Sequence, residues 1–130
     1  MKIGIIPTDL SQPIRIEEIE GKLLDYQLLV KDESQEYGTI EAVRMQYTPM
    51  KMDLYVNDEF LIYGMERNER AMVMYASVVA PEYASEVYLA GPAVAVGGVG
   101  GEGETLGLTE RNITRLRLLD KLFGHEMPTS

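Results

Sequence analysis

Lys2-Ile3-Gly4-Ile5-Ile6 opens the chain as a short apolar run, and Pro7 with Thr8-Asp9 ends it, which predicts a buried strand over residues 2–6. Ile14 and Ile16 alternate with Arg15 and Glu17, a second strand over 13–19. Beyond Gly21, Leu24 and Leu28 with Leu23 and Val30 beside them suit a short helix near residues 22–31, packed on a sheet. Leu28-Leu29-Val30 suits the start of a strand equally well. A polar loop, Asp32 to Glu36, closes at Gly38, and the alternating stretch from Thr39 to Tyr47 reads as a strand. Thr48-Pro49-Met50-Lys51 connects it to Met52, Leu54 and Val56, which alternate with Asp53, Tyr55 and Asn57 in the cleanest period of two along the chain. Asn57-Asp58-Glu59 has turn chemistry and Phe60-Leu61-Ile62-Tyr63 reads as the next strand, so a hairpin is predicted over residues 52–63.

Gly64 to Arg70 is charged and loop-like, and Ala71 to Ala76 suits a helix or a strand equally. Pro81 falls in a long connection. Val87-Tyr88-Leu89-Ala90 and Ala93-Val94-Ala95-Val96 flank Gly91-Pro92, a pattern for a buried, kinked strand with its proline at an edge or bulge. The last element is the plainest. Thr109 is a good N-cap, Glu110 sits at the positive end of the helix dipole, and Ile113, Leu116, Leu119 and Leu122 or Phe123 form one apolar stripe, with Arg111, Arg115 and Asp120 pointing elsewhere. Lys121 and Gly124 finish an amphipathic helix near residues 109–123. The elements predict an α+β fold with a mainly antiparallel sheet, one domain over residues 1–124 and a flexible tail over 125–130.

Composition adds that 130 residues at 45% hydrophobic content suffice for a core without disulfides or metal. The chain has no cysteine, which removes disulfides, thiolate metal sites and a cysteine nucleophile together. The interrupted N-terminal run does not read as a signal peptide, and no apolar stretch approaches the roughly 20 residues of a membrane span, so a cytoplasmic protein is expected. With 21 acidic and 12 basic residues the net charge is −9, which repels bare phosphate backbone and argues against ordinary nucleic-acid binding. Solubility accounts for such a surface most simply, and imitation of DNA is the sharper alternative.

Candidate chemistry is sparse. The only histidine, His125, lies in the expected tail, where a general base has nothing to hold it in reach of a substrate. Glu17, Glu18 and Glu20 cluster without the spacing of a calcium loop, so no metal, cofactor or catalytic residue is assigned. Gly98-Val99-Gly100-Gly101-Glu102-Gly103 matches a dinucleotide fingerprint in form, but no helix opens on its last glycine and Glu102 and Glu104 would repel a phosphate. Gly98, Gly100, Gly101 and Gly103 are instead expected to form a mobile hairpin or strand-to-helix loop, suited to a lid or a partner-contacting arm. Eight methionines and eight tyrosines fill irregular cores and also suit adaptable binding surfaces.

Several segments occur in a telling order: Leu24 through Val30, Gly38-Thr39-Ile40-Glu41-Ala42-Val43-Arg44, Leu54-Tyr55-Val56-Asn57-Asp58-Glu59, Gly64 through Ala71, Gly91 within an apolar strand, and Gly107-Leu108-Thr109. In these the chain, over residues 14–119, resembles the domain of unknown function 3846 family of small proteins encoded by phages, prophages and mobile elements. The resemblance implies a small α+β fold and a mobile-element origin, and no established activity. It marks the Asn57-Asp58-Glu59 turn, where a structural role is favoured for Asn57, and the segment Arg67-Asn68-Glu69-Arg70. Arg67, Asn68 and Arg70, joined by Arg44, are candidates for a ligand- or partner-binding pocket, arginine being the natural reader of carboxylate or phosphate. The expected function is a non-enzymatic protein that binds and modulates a host protein during infection. Alternatives are a binder of a nucleotide-like signal, with those arginines converging at a subunit interface, and an acidic DNA mimic. A host or phage protein is the expected partner, a homo-oligomer is possible, and neither membrane nor nucleic-acid backbone is expected to bind.

Overall fold

A computed structural model describes residues 1–45, 51–79 and 81–125. Among these residues five strands form one antiparallel sheet: β1 (Lys2–Ile6), β2 (Arg15–Glu18), β3 (Ile40–Met45), β4 (Met52–Asn57) and β5 (Ala93–Val96), in the order β2-β1-β5-β4-β3. Three α-helices join them, α1 (Leu23–Val30), α2 (Glu69–Ala76) and α3 (Glu110–Leu122), with a 3₁₀ segment, Pro81–Glu86, after α2. The chain is an α+β protein with an antiparallel sheet and a C-terminal helix.

Two local hairpins, β1–β2 and β3–β4, are joined by β5 between them, with Ile5 opposite Val94 on one side and Leu54 opposite Ala95 on the other. Helices cover both faces. Ile3, Ile5, Tyr55, Val94 and Val96 pack against Tyr26 and Val30 of α1. Ile6, Leu54, Val56, Ala93 and Ala95 pack with Ala71 and Met74 of α2 and Ile113, Leu116 and Leu119 of α3 on the other. Small residues set the α3 side: a Cβ on Gly4 would lie 2.8 Å from Leu116 Cδ1 and 3.5 Å from the Cβ of Ala95, its partner in register. The missing side chain lets the helix sit close to the sheet.

The caps follow the sequence. Thr109 Oγ1 accepts from Asn112 N–H at 3.1 Å, and Asn112 Oδ1 accepts from Thr109 N–H at 3.0 Å. Residues 71–76, undecided from propensity, are helical, because Asn68 Oδ1 takes the Ala71 N–H and starts α2. The Asp25 carboxylate accepts from the N–H groups of Gly21 and Lys22 at the start of α1.

Three expectations about the elements are corrected. The hairpin over residues 52–63 does not form: β4 pairs with β3 and β5, and residues 58–64 make turns. Asn57 Oδ1 accepts from Glu59 N–H at 2.8 Å, bending the chain out of the sheet, and Leu61 and Ile62 point into solvent. The strand with the period of two, β4, did form, and all six of its residues are buried. On α1 the buried side chains are Tyr26 and Val30, while Leu24 and Leu28 are exposed. Ala90, placed in a kinked strand with residues 93–96, makes only an isolated bridge to Arg67, since Gly91 turns the chain at φ +79°. Residues 48–50 of the expected connection and most of the tail (126–130) lie outside the described residues. No helix among the described residues is long and apolar enough to cross a membrane.

On α3, Leu116 is fully buried and Leu122 is 78% exposed. Leu116→Ala is expected to destabilise by roughly 2–5 kcal/mol. Leu122→Ala should stay within about 0.5 kcal/mol. Urea denaturation measures both, and equal costs would mean that α3 docks through another face.

Candidate binding cleft beside the sheet edge

The polar residues singled out in the sequence do not converge. Asn68 is buried and fully used: beyond its cap, Nδ2 donates to Ile6 O at 2.8 Å and Gly91 O at 3.0 Å. Arg70 is also buried, against expectation, and its guanidinium is spent inside the protein. Nη1 donates to Asp120 Oδ1 at 2.8 Å and Gln12 O at 2.7 Å, and Nη2 to Pro7 O at 2.8 Å and Asp9 O at 3.1 Å. Asp120 is therefore turned inward rather than out, and its other oxygen accepts from Ile14 N–H at 2.7 Å. A carboxylate and three carbonyls thus take four of its five N–H donors, and the fifth, Nε, is sealed inside the protein without a partner among the described residues, where no outside ligand meets it.

Arg67 is exposed and pairs with Glu69 at 2.9 Å. Arg44 lies at the far edge of the sheet, paired across the β3–β4 register with the buried carboxylate of Asp53. Asn57 is buried, its Nδ2 donating to Val30 O at 3.2 Å and Gln35 Oε1 at 2.7 Å, which is the structural role favoured for it. The pocket of converging arginines is thus absent among the described residues, because burial and ion pairing take each cation in a different direction. The glycine loop is a tight hairpin: Gly97 N–H donates to Leu106 O at 2.7 Å, Leu106 N–H to Gly98 O at 2.9 Å and Gly100 N–H to Glu104 O at 2.8 Å. The His125 ring Nε2 lies 2.9 Å from Leu10 O, and its backbone N–H donates to Asp120 O at 3.1 Å.

What the structure does bring together is aromatic. A cleft of about 600 Å³ opens beside β3, the last strand of the sheet. Phe60 enters from the turn after β4, Tyr75 from α2, Tyr83 from the 3₁₀ segment and Tyr88 from the chain leading to β5. Val43 and Leu89 belong to the core beneath, and Phe60 and Tyr88 meet edge to face with centroids 5.8 Å apart. Tyr83 is 57% and Tyr88 44% exposed, so ring surface is open to a visitor. Leu61 and Ile62, next to Phe60 in the chain, are 74% and 77% exposed. Together they make an apolar surface of the kind that marks interaction sites.

The charges around the cleft are Glu41, Glu86 and Arg44. Asp53 neutralises Arg44, whereas neither glutamate makes an ion pair with a described residue. The rim is net acidic. On the opposite face of the same edge a second cleft of about 360 Å³ is lined by Leu23, Tyr26, Ile40, Ala42, Tyr55 and Thr105. Tyr26 and Tyr55 meet edge to face at 5.0 Å, and Tyr55 Oη lies 2.6 Å from Thr105 Oγ1. Burial, with Tyr55 nearby, raises the Tyr26 phenol above its usual range, so it stays neutral.

Two outcomes test this arrangement. Asp120→Ala leaves the Arg70 charge buried without its carboxylate and should destabilise by about 3–5 kcal/mol, whereas Arg70→Met with Asp120→Leu should cost less than either single change. Urea denaturation decides, and a single change as mild as the double would refute the dependence. Hydrogen bonds from Ser11 Oγ at 2.7 Å and Ser11 N–H at 2.9 Å hold the Asp9 carboxyl below the usual carboxylate range. A lowered carboxylate supports the fold above its ordinary range and loses that support as pH falls. Ser11→Ala should therefore move the Asp9 titration upward, measured by NMR; an unmoved titration would contradict the assignment.

No curated protein and no solved structure matches the chain. The profile of the family described as domain of unknown function (DUF3846) matches residues 1–122. That match spans every strand and helix described above, and the chain belongs to the DUF3846 family.

Proposed function

We propose that this is a non-enzymatic binding protein whose target is another protein, held in the aromatic cleft beside β3. In the mobile-element setting that the family resemblance implies, the target is a host protein whose activity is modulated during infection, in the host cytoplasm. The observation that carries the reading is the convergence of Phe60, Tyr75, Tyr83 and Tyr88 from four separate segments on one open cleft, next to the exposed Leu61 and Ile62. Tyrosine and phenylalanine are enriched at protein interfaces and dominate their energetics. The polar groups at the rim are two carboxylates and an arginine already paired. That set suits steering and specificity.

Sequestering a nucleotide-like signal would need cations free to meet phosphate. Arg44, Arg67 and Arg70 are engaged by Asp53, Glu69 and Asp120 in three separate places. Protein binding is the better-supported reading.

The test is capture from host lysate by the immobilised full chain, set beside the Tyr83→Ser/Tyr88→Ser double variant. A protein recovered reproducibly by the parent should be depleted about tenfold or more with the variant, the scale of losing hot-spot aromatics. Circular dichroism checks that the variant keeps its fold. Equal recovery by both would remove the cleft from the interface, and a large thermal stabilisation by a member of a nucleotide panel would favour the ligand reading instead.

A further inference from the structure

Among the described residues, strand β3 is hydrogen-bonded on one side only. The phase of its ladder follows from Asp58 N–H, which donates to Thr39 O at 2.9 Å one step beyond the Ile40–Asn57 pair. In an antiparallel pair the bonded residues alternate, so residues 41, 43 and 45 turn their N–H and C=O toward β4. Ile40, Ala42 and Arg44 turn theirs away from the sheet. Such a row is a template for another strand, and proteins that have no use for it usually cover or blunt it. The opposite edge, β2, is blunted: it is four residues long and ends in the exposed Glu17 and Glu18. β3 is six residues long and lies between two clefts.

Side chains of an added strand would alternate between the faces of the sheet, in line with their neighbours on β3. Those level with Glu41 and Val43 would enter the aromatic cleft. Those level with Ile40 and Ala42 would enter the cleft of Leu23, Tyr26 and Tyr55. Volumes of about 600 and 360 Å³ admit large apolar side chains on the first face and smaller ones on the second. Glu41 and Glu86 add a preference for lysine or arginine at the ends of the seated segment. A second copy of this chain would bring the same acidic rim and a further net charge of −9 to the contact.

Resting on the protein-binding reading above, we infer that the partner is held by strand addition: an extended segment with alternating apolar side chains and basic flanks pairs with β3 and fills both clefts at once. Backbone pairing supplies affinity and the two clefts supply specificity.

A displayed library of random linear peptides, panned on the full chain, provides the probe. Selected peptides should share the alternating apolar pattern with lysine or arginine beside it. In fluorescence anisotropy, N-methylation of a peptide residue whose N–H meets β3 should weaken binding about tenfold or more, while N-methylation of the next residue should change it by less than about threefold. Ala42→Pro, which removes an outward donor at a sheet edge, should weaken binding similarly, and Glu41→Lys should reduce the selection of basic residues. Binding that depends on Tyr83 and Tyr88 but ignores N-methylation would overturn strand addition and leave the cleft as the site. Selected peptides indifferent to the cleft variants as well would overturn both readings. Sedimentation showing a dimer lost on Ala42→Pro would overturn the choice of partner in favour of self-pairing.

Discussion

The guanidinium of Arg70, sealed in the protein with the Asp120 carboxylate, ties together three parts of the chain that sequence holds far apart. It fastens α2 to α3 and pulls the loop between β1 and β2 over both, through the carbonyls of Pro7, Asp9 and Gln12. Asn68, two residues earlier, caps α2 while gripping the end of β1 and the turn before β5. With both in place α2 has one position on the sheet, and Tyr75 on its outer side is set at the cleft. The polar residues of this segment thus act on the binding surface indirectly, by fixing what carries it. A buried charge of this kind is costly unless its hydrogen bonds are met, which favours one arrangement over its near alternatives.

Much of the architecture was legible in the sequence. The apolar run at residues 2–6, the glycine-bounded helix near 22–31 and the stripe of Ile113, Leu116 and Leu119 behind a threonine cap are local patterns, and each formed where the pattern lay. What failed was local signal overridden by distant partners. Phe60 to Tyr63 has strand composition but no free place beside β4, the strand it follows in the chain, since β3 and β5 already flank it. The burial of Asp53 and Asn57 was not legible, because their compensating groups, Arg44 and the carbonyl of Val30, are not adjacent in sequence. A clue to α2 was present and missed: asparagine followed by glutamate and a run of good helix formers is a helix start. The cleft itself left almost no trace, because its four rings come from positions 60, 75, 83 and 88 with no common spacing. Abundant tyrosine was the only hint.

The two edges of the sheet illustrate how one fold separates stability from recognition. At β2 the edge is short and ends in two exposed carboxylates. At β3 the chain keeps a longer edge between two hollows, and it spends Arg44 on Asp53 rather than on a guard against pairing. The strand behind it, β4, is buried on both faces and supports this edge as a rigid backing. Recognition surfaces placed on such a backing lose little order on binding.

The position of β5 has a consequence for how the chain is made. The strand at the middle of the sheet is the last of the five in sequence, residues 93–96, and each outer pair is complete without it. During synthesis from the N-terminus the two hairpins therefore exist as separate pieces, each with an inner edge awaiting the same partner. Only when Ala93 to Val96 has emerged can they close into one sheet, and α3, which follows, must still dock through Leu116 and Asp120, so maturation of this small protein waits on late, long-range contacts.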